Sequence, residues 1–201
     1  HSPAVCISDT LRNAGSAYLT TDEKNNPLIN WCETDGAGNK FLYLSFLDTA
    51  SGKFLPAIGV PVVQQILFHE EGMPKIAVKG DGSLVAVYET TLPTKENDWA
   101  GRVDYMQSFD RGKTWTAPRA VHRDTAAGGS HSFAAITRLD NGEIGACWLG
   151  QSYNPQKGGR PVMFASTKGS GGFAHETLVD AVACECCRLA ITAAGRGRVG
   201  I

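Results

Sequence analysis

The 201-residue chain lacks an excess of charge of either sign, with 19 Lys and Arg against 20 Asp and Glu. That removes the electrostatic footprint a nucleic-acid partner would require. No apolar run approaches the length of a membrane span. Long stretches with the 3.6-residue apolar period are scarce, which argues for short strands joined by turns. The first residues, His1-Ser2-Pro3, show neither a Met nor a signal-peptide pattern and read as a mature or trimmed terminus. What is present is an ordinary globular composition, 42% hydrophobic and 19% charged, with enough chain to bury a core. The 23 glycines favour turns. Six cysteines are many for a cytosolic chain of this size and point to an extracytoplasmic setting, periplasmic or secreted. Metal binding is the other explanation for them.

The most informative stretch is Ser108-Phe109-Asp110-Arg111-Gly112-Lys113-Thr114-Trp115, set between the strand-like runs 102–107 and 120–122. Asp110 and Gly112 are turn formers: the carboxylate accepts backbone N–H groups ahead of it, and Gly tolerates positive φ. Trp115 then folds back as an apolar plug. The octet resembles the Asp box, S-x-D-x-G-x-T-W, of sialidase-like (BNR-repeat) β-propellers, with Ser108, Asp110, Gly112, Thr114 and Trp115 at its defined positions. In that family the box is a structural element of the rim, away from the central pocket.

Two degenerate copies flank it. Ser45 to Phe54 keeps the Ser, the Asp at 48, the Gly at 52 and an aromatic; Ser166 to Phe173 keeps the Ser, the glycines and the aromatic but loses the Asp. Before each box lie a strand, a turn and another strand: 74–78 and 83–90 around Gly80-Asp81-Gly82, then 133–138 and 143–149 around Asp140-Asn141-Gly142. Asp-Gly and Asn-Gly between apolar runs are strong hairpin signals. Asn25-Asn26-Pro27 repeats this weakly in the first unit, and Gly195-Arg196-Gly197 begins a fourth. The expected architecture is all-β: a β-propeller of four-stranded antiparallel blades, in a single domain over residues 1–201. About three blades, at roughly 15–65, 69–123 and 130–181, precede a fourth beginning at 184. The resemblance implies six blades in a complete ring. Further C-terminal blades, or a protein partner, are expected to close it.

Propeller ligands bind at the axis, where the innermost strands begin. Aligning the repeats on Gly82, Gly142 and Gly197 sets His69 level with Gly129 and Cys184, and Glu71 level with His131 and Cys186. His69, His131, Cys184, Cys186 and Cys187 thus fall at one end of three consecutive blades and form a candidate soft-metal site for copper or zinc. Cys184 and Cys186 share a face of an extended segment, and the two imidazoles complete a four-coordinate set. Disulfide pairing of these thiols is the alternative. Cys32 and Cys147, on second strands, read as small core residues, and His122 and His175 as solvated groups near outer strands. Trp99 and Tyr153, in the long polar loops 91–101 and 151–159, are candidate ligand platforms.

The resemblance implies three Arg on a substrate carboxylate, a Tyr–Glu nucleophile pair and an Asp acid/base at the axis. The family's Phe-Arg-Ile-Pro start is replaced by Leu11-Arg12-Asn13-Ala14. Arg12 and Arg188 remain as candidate carboxylate clamps. Where a hydrolase presents Arg and Asp, this chain presents His and Cys. The sequence therefore favours a protein that binds a glycan or other small ligand at the axis over one that cleaves it. An exo-sialidase-type glycoside hydrolase acting on terminal sugars is the alternative.

Overall fold

The computed structural model describes residues 4–152 and 158–201. Its strands fall into consecutive antiparallel sheets. The first contains β1 (Asn13–Thr21), β2 (Pro27–Thr34) and β3 (Lys40–Asp48), with an outer strand in two pieces, β4 (Lys53–Phe54) and β5 (Ile58–Val60), both paired to β3. The second is β6 (Lys75–Val78), β7 (Leu84–Thr91), β8 (Gly101–Ser108) and β9 (Arg119–Ala120). The third is β10 (Ser132–Arg138), β11 (Ile144–Leu149), β12 (Arg160–Thr167) and β13 (Phe173–Ala183). A short hairpin follows, β14 (Thr192–Ala193) with β15 (Val199–Gly200). Strand order equals chain order in each sheet, as in propeller blades. Among the described residues no helix is long and apolar enough to cross a membrane.

The middle sheet shows why the chain stacks sheets. Strand side chains alternate in direction. In β6 and β7, Ile76, Val78, Leu84 and Ala86 pack on Leu28, Leu42, Leu44 and Phe46 of the first sheet. Their neighbours Ala77, Val85 and Val87 pack on Ala134, Ile136, Ile144 and Trp148 of the third. A strand buried on both faces reads as a continuous apolar run, and β7, buried from Leu84 through Thr90, is apolar from Leu84 to Tyr88 before the polar Glu89 and Thr90. Polar ties join the same interfaces. Asn30 bonds the Pro74 carbonyl and the Ile76 N–H, and Lys79 pairs with Glu143 at 2.7 Å.

The box at Ser108 folds as its residues dictate. Asp110 accepts the N–H (2.9 Å) and hydroxyl (2.6 Å) of Thr114 and the Ser108 hydroxyl, while Ser108 Oγ accepts the Gly112 N–H at 2.7 Å. Those bonds hold the Asp110 carboxyl down at about 2, the Thr114 hydroxyl contributing most. Gly112 takes φ 90°, and Trp115 packs half-buried beneath, its indole N–H on the Gly112 carbonyl. In the first degenerate copy, Asp48 still accepts the N–H groups of Ala50 and Ser51. In the third, a 3₁₀ turn at Gly169–Gly171 replaces the missing carboxylate. All three copies sit between third and fourth strands, at the far end of the sheet from the starts of the inner strands.

Candidate functional site at the inner-strand ends

The three inner strands, β1, β6 and β10, line one cleft of about 200 Å³ that includes Tyr18, Thr20, Ala77, Ile136 and Arg138. Their starting ends, and the segment 184–188 ahead of β14, form the mouth that the repeat alignment anticipates. A separate cleft of about 380 Å³ lies between the turns at 139–141 and 197–199, at the opposite end from the cysteines.

Cys184, Cys186 and Cys187 come together. Their sulfurs all lie within 4.8 Å of one another, with 3.6 Å between Cys184 and Cys186, and all three are exposed. All six cysteines are free thiols. Hydrogen bonding from Cys187, with help from Cys186 and the backbone, pulls the Cys184 thiol down to about 7; in return Cys187, which gives that bond, is pushed up to about 11. The three sulfurs thus share charge as a set. Cys186 is pushed up chiefly by Cys184, through hydrogen bonding and charge, with a smaller contribution from the carboxylate of Glu71. Cys32 and Cys147 are buried core thiols, pushed up to about 12 and about 11 by burial.

The two imidazoles expected to complete the cluster do not join that group. His69 Nδ1 accepts the N–H groups of Glu71 (3.2 Å) and Gly72 (3.1 Å), which places its proton on Nε2. Nε2 turns inward: a Cβ on Gly72 would stand 2.5 Å from it and 2.6 Å from Glu89 Oε1. His131 is only 6% exposed and its ring stacks on His122 with centroids 3.6 Å apart. His122 is therefore not the solvated group its place near an outer strand suggests. It is buried, accepts the Val103 N–H on Nε2 and donates from Nδ1 to the Asp124 carbonyl. His175 is exposed on β13.

The structure adds a pair that the sequence does not announce. Glu89, on β7, is buried and accepts the Phe133 N–H at 2.7 Å; burial pushes its carboxyl up to about 7. Lys75, on β6, donates to the carbonyls of Met73 and Ala134, and burial pushes its ammonium down to about 8. The parity of β6 and β7 carried the signal, because both residues occupy positions that face the third sheet. Glu33 lies on β2 next to Cys32, on the face turned away from the second sheet. It accepts the Asp9 N–H, the Trp31 indole N–H and the Arg12 guanidinium. Arg12 also donates to the Tyr43 hydroxyl at 2.7 Å and lies 4.1 Å over the Phe41 ring.

Trp99 is 89% exposed, the most open of the large aromatic side chains among the described residues. Its backbone is pinned, its N–H to Asn97 and its carbonyl to the Ser130 hydroxyl. The Gly101 N–H donates to the Gly129 carbonyl and the His131 N–H to the Gly101 carbonyl across the same spot, which sets Trp99 beside the start of β10. Tyr153 lies outside the described residues. Arg160, which the sequence reading passes over, donates to the carbonyls of Ser130, Leu149 and Gly150 and to the Ser132 hydroxyl, locking the mouth end of the third sheet.

No family model and no curated protein matches the chain. Among solved structures it is similar to the GH93 alpha-L-arabinofuranosidase of Fusarium graminearum in complex with arabinobiose. The TM-score is 0.53 at 12% identity, over 81% of this chain and 48% of that one. It is similar to the Hadza microbial sialidase Hz136, with TM-score 0.53 at 17% identity over 87% of this chain and 34% of that one. It is also similar to the NanB sialidase from Streptococcus pneumoniae, with TM-score 0.53 at 15% identity over 91% and 27%. The chain thus spans less than half the length of each. At these identities the likeness is one of fold, and the fold is the sialidase-like β-propeller.

Proposed function

We propose that this chain is part of an extracytoplasmic sialidase-like propeller that binds rather than cleaves, with a soft metal ion, copper or zinc, held at its axial mouth. The observation that carries the reading is the convergence of three free thiols, Cys184, Cys186 and Cys187, within 4.8 Å of one another. Thiolates select soft or borderline ions. The presence of His and Cys at the inner-strand starts, where a hydrolase of this type presents Arg and Asp, supports binding over hydrolysis. Trp99 gives a glycan or other small ligand an aromatic face to stack on, beside the start of β10.

The test is to load the purified, reduced chain separately with Zn(II) and Cu(I), desalt it, and measure metal content beside a free-thiol count. The reading expects stoichiometric metal and masked thiols, both lost when the three cysteines are replaced by Ser. Full thiol reactivity with no retained metal would discard it.

A second reading has its own observation. Glu89 is a carboxyl with its titration near 7, at the mouth end of a fold shared with an arabinofuranosidase and sialidases. A general acid needs such a value. Release of a chromogenic leaving group from arabinofuranosides or sialosides, abolished in Glu89→Gln, would establish glycoside hydrolysis. No release from either panel ends it.

A further inference from the structure

The geometry points to the identity of the ion: we propose that Cys184, Cys186 and Cys187 form a three-coordinate, sulfur-only site for Cu(I). This rests on the reading that the triad holds a metal, and names which one.

The argument is about what the chain can offer beyond three sulfurs. Zn(II) in a structural site is almost always four-coordinate and tetrahedral, so it needs one more donor. Among the described residues neither candidate imidazole brings a nitrogen to the three sulfurs. His69 Nδ1 accepts two backbone N–H groups, and its Nε2 carries the proton and faces the bare Cα of Gly72. His131 is buried in a ring stack with His122. The remaining thiols, Cys32 and Cys147, are buried inside strands β2 and β11, and Cys6 is exposed near the start of the chain. Neither imidazole nor Glu71 lies within 4.8 Å of all three sulfurs. A carboxylate is also a hard donor, unsuited to Cu(I). Three thiolates close together with no nitrogen among them match a soft monovalent ion better than a divalent one.

Spacing and charge agree. The chain is not extended here: it bends at Glu185 and Cys186, which brings Cys184, Cys186 and Cys187 together, so one short loop after β13 supplies all three ligands. Three thiolates around a monovalent ion leave a net negative cluster. Arg188, the next residue in the chain after Cys187, is the adjacent cation that can offset it. All three sulfurs are exposed, so the ion is open to exchange with thiols in solution.

The test uses the whole chain, reduced and kept anaerobic. Cu(I) is added as its acetonitrile complex in competition with a chromophoric Cu(I) chelator, Zn(II) is titrated separately, and X-ray absorption reads the shell of each loaded form. The expected Cu(I) shell is sulfur alone with three-fold coordination. Cys186→Ser is expected to weaken Cu(I) by more than the about 10–100-fold that an outer-shell change costs, while His69→Ala and Glu71→Gln shift it by less than that. Zn(II) competing on equal terms, with a nitrogen or oxygen neighbour that disappears in His69→Ala or Glu71→Gln, overturns the copper assignment and leaves the metal-binding reading intact. Retention of neither ion by the wild-type chain overturns both. Because the wild-type spectra decide the shell by themselves, a variant that folds poorly does not remove the test.

Discussion

The backbone N–H of Phe133 donates to Glu89 Oε1 at 2.7 Å, across the boundary between the second and third sheets. Phe133 has φ 57°, an unfavourable value for a bulky residue, and sits where β10 slips its register against β11 between Ser132 and Ala135. Ser16 shows the same left-handed backbone, φ 51°, at the slip in β1. The carboxylate of the second sheet thus holds the irregular start of the third sheet's inner strand. The mouth is pre-shaped by this contact, which pulls the Glu89 carboxyl down against the larger upward push of burial.

That contact has a pH signature. The ordinary carboxyl titrates at 4.5 and the folded one at about 7. Between those values the folded chain binds more protons than the unfolded one, so this group's contribution to stability falls as pH rises from 4.5 to about 7 and is flat above. Glu89→Gln keeps an acceptor for Phe133 and removes the titration. It is expected to gain on the wild type between pH 5 and pH 8, by on the order of 1–3 kcal/mol. Glu89→Ala is expected to lose about 1–3 kcal/mol, because the Phe133 N–H is left buried without a partner. Urea unfolding at the two pH values checks both. A Gln variant that tracks the wild type across that range would show that Glu89 does not titrate there.

Gly72 marks how tightly the mouth is built. A methyl group there would meet His69 Nε2 at 2.5 Å and Glu89 Oε1 at 2.6 Å, too close for either to remain in place. Gly72→Ala is expected to destabilise by about 1–3 kcal/mol and to shift the His69 ring signals in an NMR spectrum. Unchanged ring signals would mean that the imidazole is free to move away.

Ser108 tests the rim separately from the mouth. Its hydroxyl accepts the buried Gly112 N–H and donates to Asp110. Ser108→Ala is expected to cost about 1–3 kcal/mol while leaving metal content unchanged, since the turn lies at the other end of the sheet. Thermal unfolding and metal analysis on one preparation separate the two effects. Loss of metal in this variant at full stability would contradict the placement.

Architecture was legible because its signals are local. The Gly80-Asp81-Gly82 and Asp140-Asn141-Gly142 turns, and the box at Ser108, each specify a turn from a few adjacent residues, and the repeats then count the sheets. The cysteine triad was legible for the same reason, lying within four consecutive positions. What lay beyond reach was side-chain direction at strand starts. His131 and Cys186 sit at the same level of the alignment, yet a register slip beside Phe133 and the pairing of His131 with Gly101 turn that imidazole into the interface between sheets, onto His122. Glu89 and Lys75 read as ordinary polar residues of two strands until a third sheet covers them.

The His122–His131 stack makes the last prediction. Both ring nitrogens of His131 are buried without a hydrogen-bond partner, and the nearest carboxylate, Asp124, is 3.7 Å from Nε2. Burial, reinforced by the neighbouring His122 and by Arg160, pushes this imidazole down to about 4, against the weaker pull of Asp124. The unfolded chain takes up the proton near 6.5, the folded one only near 4. Between those values the unfolded chain binds more protons, so the stability this neutral ring allows is complete above about 6.5 and is lost as pH falls towards 4. The loss is on the order of 3 kcal/mol for a ring this buried. His131→Phe keeps an aromatic face against His122 and cannot titrate. Its stability relative to the wild type is expected to improve by about that amount between pH 7 and pH 4.5, measured as the difference in urea midpoints. Carboxylates that titrate in the same interval cancel in that comparison. A His131→Phe chain that loses stability in acid as steeply as the wild type would show that a proton reaches the wild-type ring without breaking the interface.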